Sequence, residues 1–558
     1  MTDGRPDRHQ QKGKMEDSLS ERKAVVFLAV VVAIGLALRV PNLESTPRWD
    51  WDEGYNLNYG WHLSEGRIQW FSINYAFIPH PPLYLLVMAA VVKLYGNSIV
   101  AARSLSVIYS IATLLLVYLV GSELSGRKRG LVAAFLLAIF PAAIFWGRTA
   151  IGNNQLALTV MLSLYCLLRY VRSGGRWWIL SCVFASAACL TEYIGGAVIL
   201  SLLIYFFLKD RGRLLKSSAI MLTPLVALSL YMLAFRGEVF IGEMSYQLAR
   251  FRVSDPGTLS ASVVKFLPIF LLLFFLRFIP KATLHTALKR ESKVIFGDVR
   301  FFNSVVVPIT VVLANAALQY PLLSPFSDKS IFGGADYFWL GCVGIFLAYL
   351  ASPLIVIYFV PLFLATLFVF RMDHMIIQLY PFFCIGLSGI LLEMRLLIIA
   401  LTERFNIPLG STIALLLLCS PFAFTLYYDV EAFVFERLLL REDLGSAAGV
   451  VDYLNSVAVG GQLVISTSHL AGSISAQTTT LMQALAYDGV GYAYYRPNMS
   501  FAENVSLSNA AYVMVNNYTF GYFKDRPDIN AILEGVRDWD EVYRDRVYVV
   551  YRNPTPPR

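Results

Sequence analysis

The chain has 558 residues, of which 57% are hydrophobic and 15% charged, and its mean hydropathy is +0.59. A soluble globular protein carries about 25% charged residues, so this composition excludes an ordinary soluble protein and indicates that most of the chain faces lipid. The net charge of +8 does not indicate a nucleic-acid partner, because Lys and Arg lie in short clusters between apolar segments. The six cysteines all lie within apolar segments, and no CxxC pair suggests a metal site.

Apolar segments long enough to cross a bilayer recur along most of the chain. The polar residues 1–23 are predicted to form a cytoplasmic tail, and the first apolar segment is predicted to be an uncleaved signal anchor. A transmembrane helix needs roughly 20 apolar residues. Thirteen spans are predicted within a transmembrane domain at 24–429, namely 24–43, 99–121, 130–147, 153–171, 176–192, 194–209, 217–235, 263–280, 302–320, 338–350, 352–370, 376–394 and 409–428.

The basic residues predict the orientation of these spans. With the N-terminus in the cytoplasm, the most basic short connections fall on the cytoplasmic side, as the positive-inside rule requires. This orientation holds only if residues 82–95 do not span. That segment follows two prolines and reaches Lys93 after about eleven apolar residues, which suits a helix lying at the membrane surface. Residues 44–98 then form the first exterior loop of a plasma-membrane protein.

An odd number of spans leaves residues 430–558 outside the cell, where the sequence predicts a small soluble α/β domain. Helices are predicted at 444–456 and 527–536, and strands near 463–467, 511–515 and 542–551. N-glycosylation sequons begin at Asn498, Asn504 and Asn517. All three lie in this domain, which agrees with an exterior location. The predicted fold class is therefore mainly α and polytopic, with an extracytoplasmic α/β C-terminal domain.

The predicted exterior loops bring together acids, cations and polar groups. Cations on this side run against the positive-inside tendency, and an anionic lipid headgroup such as a phosphate would account for them. Three acids beside two tryptophans at a bilayer edge are unusual, which favours a functional role over a solvated loop. The groups that we single out are Asp50, Asp52, Glu53, Tyr55 and His80 in the first loop, Arg148 and Asn153 in the second, and Arg250, Arg252, Tyr337, Arg371 and His374 in later loops.

Three motifs in order carry a family resemblance. WDEGY at 51–55 follows the first span, HPPLY at 80–84 opens the interfacial helix, and GRTA at 147–150 follows the third span. Together they resemble the integral-membrane GT-C glycosyltransferases, in the branch of the aminoarabinose lipid A transferase and the protein O-mannosyltransferases. The resemblance implies a sugar donor carried on dolichyl or undecaprenyl phosphate. It also implies transfer to a lipid-linked, glycan or protein acceptor on the extracytoplasmic face.

The resemblance also implies roles for individual residues. Asp52 matches the catalytic aspartate, which would take the proton from the acceptor hydroxyl as polyprenyl phosphate leaves. Such a single displacement inverts the anomeric configuration. Glu53 would orient the acceptor or share a proton, and His80 would contact the phosphate. Further substrate contacts are expected from Tyr55, Arg148, Asn153, Arg250 or Arg252, Tyr337, and Arg371 or His374.

Two positions depart from the family pattern. Asn153 stands where relatives often have an aspartate, and Glu192 stands where they often have a lysine. Both differences bear on sugar and acceptor specificity more than on the class of reaction. These motifs require no cofactor. Binding of a divalent cation (Mg, Mn or Zn) by Asp50, Asp52 or Glu53 remains an alternative.

Simpler interpretations stand beside these. The acids around Asp52 could form a solvated loop, HPP could be only a turn before a helix, and the nearby tryptophans could be interfacial anchors. Arg103 is predicted to reach water from a helix end.

Two other functions remain as alternatives. One is an oligosaccharyltransferase of the same fold, although the chain has only DWDE at 538–541 and no WWDxG motif. The other is a lipid or sugar transporter without chemistry, which predicts ionisable groups near mid-membrane in broken, repeated helices.

Overall fold

The structure is a computed structural model, and most of the first 251 residues and of the C-terminal region are described in it. The predicted spans at 263–280, 302–320, 338–350 and 409–428 lie outside the described residues. The described residues are 19–44, 47, 51–66, 81–251, 354–369, 373–404, 446–459, 461–491, 497–498, 504–516, 519, 523 and 525–555.

The described part of the predicted transmembrane domain is a bundle of helices. In chain order these are α1 (Glu21–Arg39), α2 (Trp51–Ser64), α3 (Pro82–Tyr95), α4 (Ile99–Ser125), α5 (Arg127–Ile139), α6 (Pro141–Gly147), α7 (Gly152–Ser173), α8 (Trp177–Thr191), α9 (Gly196–Lys209), α10 (Arg211–Phe251), α11 (Leu354–Val369) and α12 (Tyr380–Arg404). Short 3-10 helices, Tyr193–Gly195 and Asp373–Leu379, precede α9 and α12.

Local sequence explains where several helices begin. The hydroxyl of Ser20 accepts a hydrogen bond from the Lys23 amide at the start of α1, and Ser98 caps α4 in the same way. Pro82 occupies the first turn of α3, where its missing N–H costs nothing. The predicted span 130–147 is two helices, α5 and α6, because Pro141 cannot continue the first of them.

The lengths of the helices bear on membrane crossing. Among the described residues, three helices are long and apolar enough to cross a membrane by length and composition, over Ile99–Ser125, Gly152–Ser173 and Arg211–Ala234. Shorter apolar helices include Pro82–Tyr95 and Trp177–Thr191. Helix α10 is longer than the predicted span 217–235, since it continues to Phe251 with Pro224 inside it. The total of thirteen spans stays a prediction.

The C-terminal region is built around a five-stranded sheet. Residues 446–457 are helical, and we label this helix α13. The other elements are β1 (Leu463–Ser466), α14 (Ser468–Ala471), β2 (Gln477–Thr480), α15 (Leu481–Tyr487), β3 (Ala510–Asn516), α16 (Pro527–Arg537), β4 (Asp540–Arg544) and β5 (Tyr548–Arg552). The strand order is β2-β1-β3-β5-β4, with β1 parallel to β2 and β3 and with β5 antiparallel to both of its neighbours.

The sheet corrects one strand prediction and adds a strand. The segment 542–551 is a hairpin of β4 and β5 and not one strand, because the Asp545 carboxylate accepts hydrogen bonds from the amides of Val547 and Tyr548 and stabilises a turn. Strand β2 has the sequence QTTT, which lacks the apolar alternation that would predict it. The side of the membrane on which this sheet lies stays a prediction.

Two apolar clusters organise the helical part. The larger one packs α1 and α4–α12 against each other. The smaller one joins α2, α3 and the beginning of α4, with Leu57, Tyr84 and Met88 buried in it. The second cluster holds α2 and α3 against the beginning of α4.

Candidate active site

The acidic aromatic segment of the first loop is a helix in the structure. Helix α2 begins at Trp51, and Asp52 and Glu53 lie in its first turn. Carboxylates are favoured there because the first amide groups of a helix point toward them and the helix dipole is positive at this end. The local sequence therefore places two adjacent acids at one helix terminus.

Glu53 is fully buried and paired. Its two carboxylate oxygens accept hydrogen bonds from Nε and Nη2 of Arg103, at 2.7 and 2.6 Å, in a bidentate ion pair whose side chains are both 0% exposed. The Ala150 amide donates a third bond, of 2.8 Å, to the same carboxylate. A buried carboxylate needs such partners to remain charged. Glu53 is thus fixed to α4 and to the turn before α7.

Arg103 also connects the end of the first helix to this network. Its Nη1 donates a 2.8 Å bond to the carbonyl of Leu43, in the turn that follows α1. The prediction that Arg103 reaches water was wrong, because the Glu53 carboxylate and this carbonyl hold its guanidinium inside the protein. Sequence inspection missed the pair because its members are 50 residues apart.

Asp52 differs from its neighbour in exposure. Its side chain is partly exposed, whereas Glu53 beside it is buried. Successive helical residues point about 100° apart, so the anchoring of Glu53 fixes the backbone from which Asp52 projects. Asp52 is the carboxylate of this helix start that remains accessible from outside the fold.

The second predicted loop packs directly beside α2. The side-chain amide of Asn56 donates a 3.3 Å bond to the Ala150 carbonyl. Asn154 donates bonds to the carbonyls of Trp146 and Thr149 and so stabilises the turn between α6 and α7. Asn153 is buried at the start of α7. The structure therefore brings Glu53 and Asn56 against Ala150, in the turn that precedes Asn153, and a role of Asn153 in substrate binding stays a prediction.

Arg148 lies in the same turn, but its described contacts are with the backbone. Nη1 donates a 3.0 Å bond to the carbonyl of Leu38, and Nη2 donates a short bond to that of Pro41. The side chain is 1% exposed. Positive side chains stabilise the free carbonyls at the C-terminal end of a helix. Binding of substrate by Arg148 stays a prediction, and the contacts indicate that it holds the end of α1.

A second group of polar side chains lies next to Glu53. Tyr84 is buried at the beginning of α3, and its burial raises its pKa well above the usual value, with further contributions from Tyr109, Glu53 and Glu192. A Cβ atom at Gly152 would lie 2.7 Å from Oε1 of Glu192 and 3.5 Å from the ring of Tyr84. Glu192 therefore faces the start of α7 and lies close to Tyr84.

Gln155 links two of these elements. The Tyr109 hydroxyl donates a 2.8 Å bond to its Oε1, and its Nε2 donates a 3.0 Å bond to the hydroxyl of Thr191, next to Glu192. Tyr84, Tyr109 and Gln155 were not singled out from the sequence. Only Tyr84 carried a signal, through its position in the HPPLY motif.

The remaining predicted residues are only partly covered. Tyr55 lies on α2, Arg250 near the end of α10 and His374 in the 3-10 helix before α12, but the structure does not describe their side chains. Five others lie outside the described residues, namely Asp50, His80, Arg252, Tyr337 and Arg371. Within the described part of the chain, no group of three or more His, Cys, Asp or Glu residues could hold a metal ion.

Comparisons with known proteins agree with this architecture. Residues 79–235, which run from the HPPLY turn into α10, match the family described as dolichyl-phosphate-mannose-protein mannosyltransferase. This match includes Arg103, Ala150 and Glu192 and begins after Asp52. Among curated proteins, none matches the chain significantly.

Two solved structures share the fold over most of their length. ArnT from Cupriavidus metallidurans bound to undecaprenyl phosphate aligns with a TM-score of 0.53 and 14% identity, covering 96% of this chain and 98% of that one. The apo oligosaccharyltransferase of Archaeoglobus fulgidus aligns with a TM-score of 0.51 and 14% identity, and the alignment covers 90% of this chain and 70% of that one. The match over residues 79–235 and the shared fold agree with the resemblance to GT-C glycosyltransferases that the motifs suggested.

Proposed function

We propose that this chain is a membrane glycosyltransferase that moves a sugar from a polyprenyl-phosphate carrier to an acceptor on the extracytoplasmic face. The N-terminus would lie in the cytoplasm and the C-terminal sheet outside the cell. The family match and the shared fold support this class of reaction. The undecaprenyl phosphate bound to ArnT supports a carrier of this chemistry.

The observation that carries the proposal is the pair of adjacent acids at the start of α2. Glu53 is fixed by Arg103 and Ala150, while Asp52 is partly exposed on a backbone that this anchoring holds in place. A catalytic base must be held at hydrogen-bond distance from its proton, and fixing it beforehand removes much of the entropic cost of reaction.

The reaction then balances with the residues of this chain. An acceptor O–H loses its proton to the Asp52 carboxylate while its oxygen forms a bond to the anomeric carbon. The bond from that carbon to the phosphate oxygen breaks, and polyprenyl phosphate leaves with the electron pair. A single displacement of this kind inverts the anomeric configuration. Stabilisation of the leaving phosphate is assigned to His80, Arg250 or Arg252, Tyr337, and Arg371 or His374, together with Tyr55 as a donor contact.

Glu53 takes a positioning role in this proposal. Both of its oxygens are bonded to the Arg103 guanidinium, and one also accepts from the Ala150 amide. Taking a proton from the acceptor would break this buried ion pair, at a cost of several kcal/mol. The same bonds disfavour Glu53 as a metal ligand, so of the three acids Asp50, Asp52 and Glu53 only the first two would be available to a divalent ion.

The alternatives fit less well. An oligosaccharyltransferase is supported by the shared fold, but the chain lacks the WWDxG motif that this function would require. A transporter would place its ionisable groups near the middle of long helices. In the described residues, Asp52 and Glu53 lie instead at the beginning of a short helix beside α3. An enzyme with its chemistry at one membrane surface is the better interpretation.

Transfer by the purified protein from a panel of radiolabelled polyprenyl-phosphate sugars tests the proposal. Asp52→Asn should lower kcat by about 10²–10⁴-fold, the usual contribution of general base catalysis, while the KM for the donor changes little. Glu65→Gln, at an exposed position beyond the other end of α2, is the matched control and should retain full activity. Undiminished transfer by Asp52→Asn would remove Asp52 from the mechanism.

A further inference from the structure

The C-terminal domain contacts the helix that carries Asp52. The side-chain amide of Asn58 on α2 donates a 3.0 Å bond to the hydroxyl of Thr478 on β2, and both residues are 1% exposed. Beside this bond, Leu57 packs against Gly472, the residue that follows α14. These two contacts join residues about 420 positions apart in the sequence.

The packing at Gly472 leaves no space for a side chain. A Cβ atom there would lie 2.8 Å from Cγ and Cδ2 of Leu57 and 3.0 Å from its Cβ. The backbone angles of Gly472 are φ −75° and ψ −12°, an ordinary right-handed conformation that any residue adopts. Glycine is therefore required at this position by the approach of Leu57 and not by the backbone.

Both sides of this contact are rigid. On the domain side, Thr478 donates a 2.9 Å bond to the Ala471 carbonyl, and His469 is within 2.8 Å of the Tyr548 hydroxyl, which ties α14 to the sheet. On the membrane side, Glu53 and Asn56 hold α2 against the turn before α7. A displacement of the C-terminal domain would therefore also displace α2, because neither side of the contact can move independently.

We propose that the C-terminal domain is a positioning element for the active site. Through Gly472 against Leu57 and Thr478 bonded to Asn58, it holds α2 in addition to the membrane anchors at Glu53 and Asn56. Asp52 lies five residues before Leu57 on the same short helix, so its position depends on both sets of contacts. The catalytic consequence rests on the proposed function, whereas the mechanical link between domain and helix does not.

Alanine at Gly472 tests the link. Gly472→Ala should force α2 and the domain apart and lower kcat by about 10- to 100-fold, since a misplacement of about 1 Å can have that effect, with the donor KM nearly unchanged. The matched control is Gly535→Ala in α16, where an added Cβ would meet nothing within 4 Å. Removal of the opposing side chain in Gly472→Ala/Leu57→Ala should recover activity relative to Gly472→Ala alone, as a simple loss of stability would not.

A further measurement does not depend on a change at Gly472. In a double-mutant cycle of Asn58→Ala and Thr478→Val on the full-length protein, the shifts in unfolding temperature should be non-additive, because each single change already removes the bond between Asn58 and Thr478. Additive shifts would overturn the proposal.

These outcomes separate the two proposals. If Asp52→Asn retains activity but the Asn58 and Thr478 changes are coupled, the function fails and the mechanical link stands. If Asp52→Asn is inactive but Gly472→Ala has wild-type kcat, or if Asn58 and Thr478 are additive, the positioning role of the domain is refuted.

Discussion

Glu53 and Arg103 form a bidentate ion pair that is completely excluded from solvent, at 2.6 and 2.7 Å, between the start of α2 and the first turns of α4. The pair is surrounded by backbone partners, since Ala150 donates to the carboxylate and the Leu43 carbonyl accepts from the guanidinium. It therefore joins the turn after the first helix, the helix that carries Asp52, the following long helix and the turn before α7.

Removing one member of this pair should destabilise the protein strongly. Arg103→Gln leaves the Glu53 carboxylate buried without its compensating charge, which costs about 3–5 kcal/mol. Thermal unfolding in detergent measures the effect. Arg172→Gln is the matched control, because Arg172 pairs with Glu123 while its own side chain is 69% exposed, and such pairs contribute about 0–1 kcal/mol. The double variant Glu53→Gln/Arg103→Gln should be more stable than Arg103→Gln, and equal or lower stability would contradict the assignment.

Arg148 offers a choice between a structural and a substrate role. Its bonds to the carbonyls of Leu38 and Pro41 predict that Arg148→Met lowers the unfolding free energy by roughly 1.5–3 kcal/mol for each charged hydrogen bond lost. The donor KM of the folded variant should remain that of the wild type. An increased KM with an unchanged unfolding temperature would instead establish Arg148 as a substrate contact, as the family resemblance implied.

Much of the helical order follows directly from the sequence. The apolar segments around 82–95, 99–121 and 153–171 correspond to α3, α4 and α7, because the length and composition of such segments determine a lipid-facing helix. The predicted bounds of helices and strands are less accurate where a single residue determines them. Pro141 divides one predicted span into two helices, and the polar strand β2 has no apolar pattern to reveal it.

The candidate site could be predicted only in part. WDEGY marked Asp52 and Glu53 as functional acids through a short local motif. The partner of Glu53 could not be identified, because an isolated arginine in a long apolar helix looks the same whether it reaches water or a distant carboxylate. The contact of Asn58 with Thr478 joins two parts of the chain whose arrangement no local pattern specifies. Tertiary pairing decides these roles, and it is absent from a single sequence.

The turn that follows Glu192 depends on one glycine. A Cβ atom at Gly195 would lie 2.2 Å from the carbonyl carbon of Ala188 and 2.3 Å from its oxygen, which are backbone atoms that cannot move aside. Gly195→Ala should therefore destabilise the protein by about 3 kcal/mol or more and reduce the yield of folded protein. Gly196→Ala is a close control, since its Cβ would meet only the sulfur of Cys189 at 3.8 Å. Equal unfolding temperatures for the two variants would show that the turn is not packed as described.

Chelation distinguishes the proposed base from a metal-dependent mechanism. Because the guanidinium of Arg103 binds both oxygens of Glu53, a divalent ion at α2 would have to rely on Asp52 and Asp50, and two carboxylates alone are a weak site for Mg²⁺, Mn²⁺ or Zn²⁺. Transfer should therefore persist after dialysis against excess EDTA. The unfolding temperature, measured in parallel, controls for damage by the chelator. Activity that disappears with EDTA and returns with one added cation would assign Asp52 to a metal site and not to proton transfer.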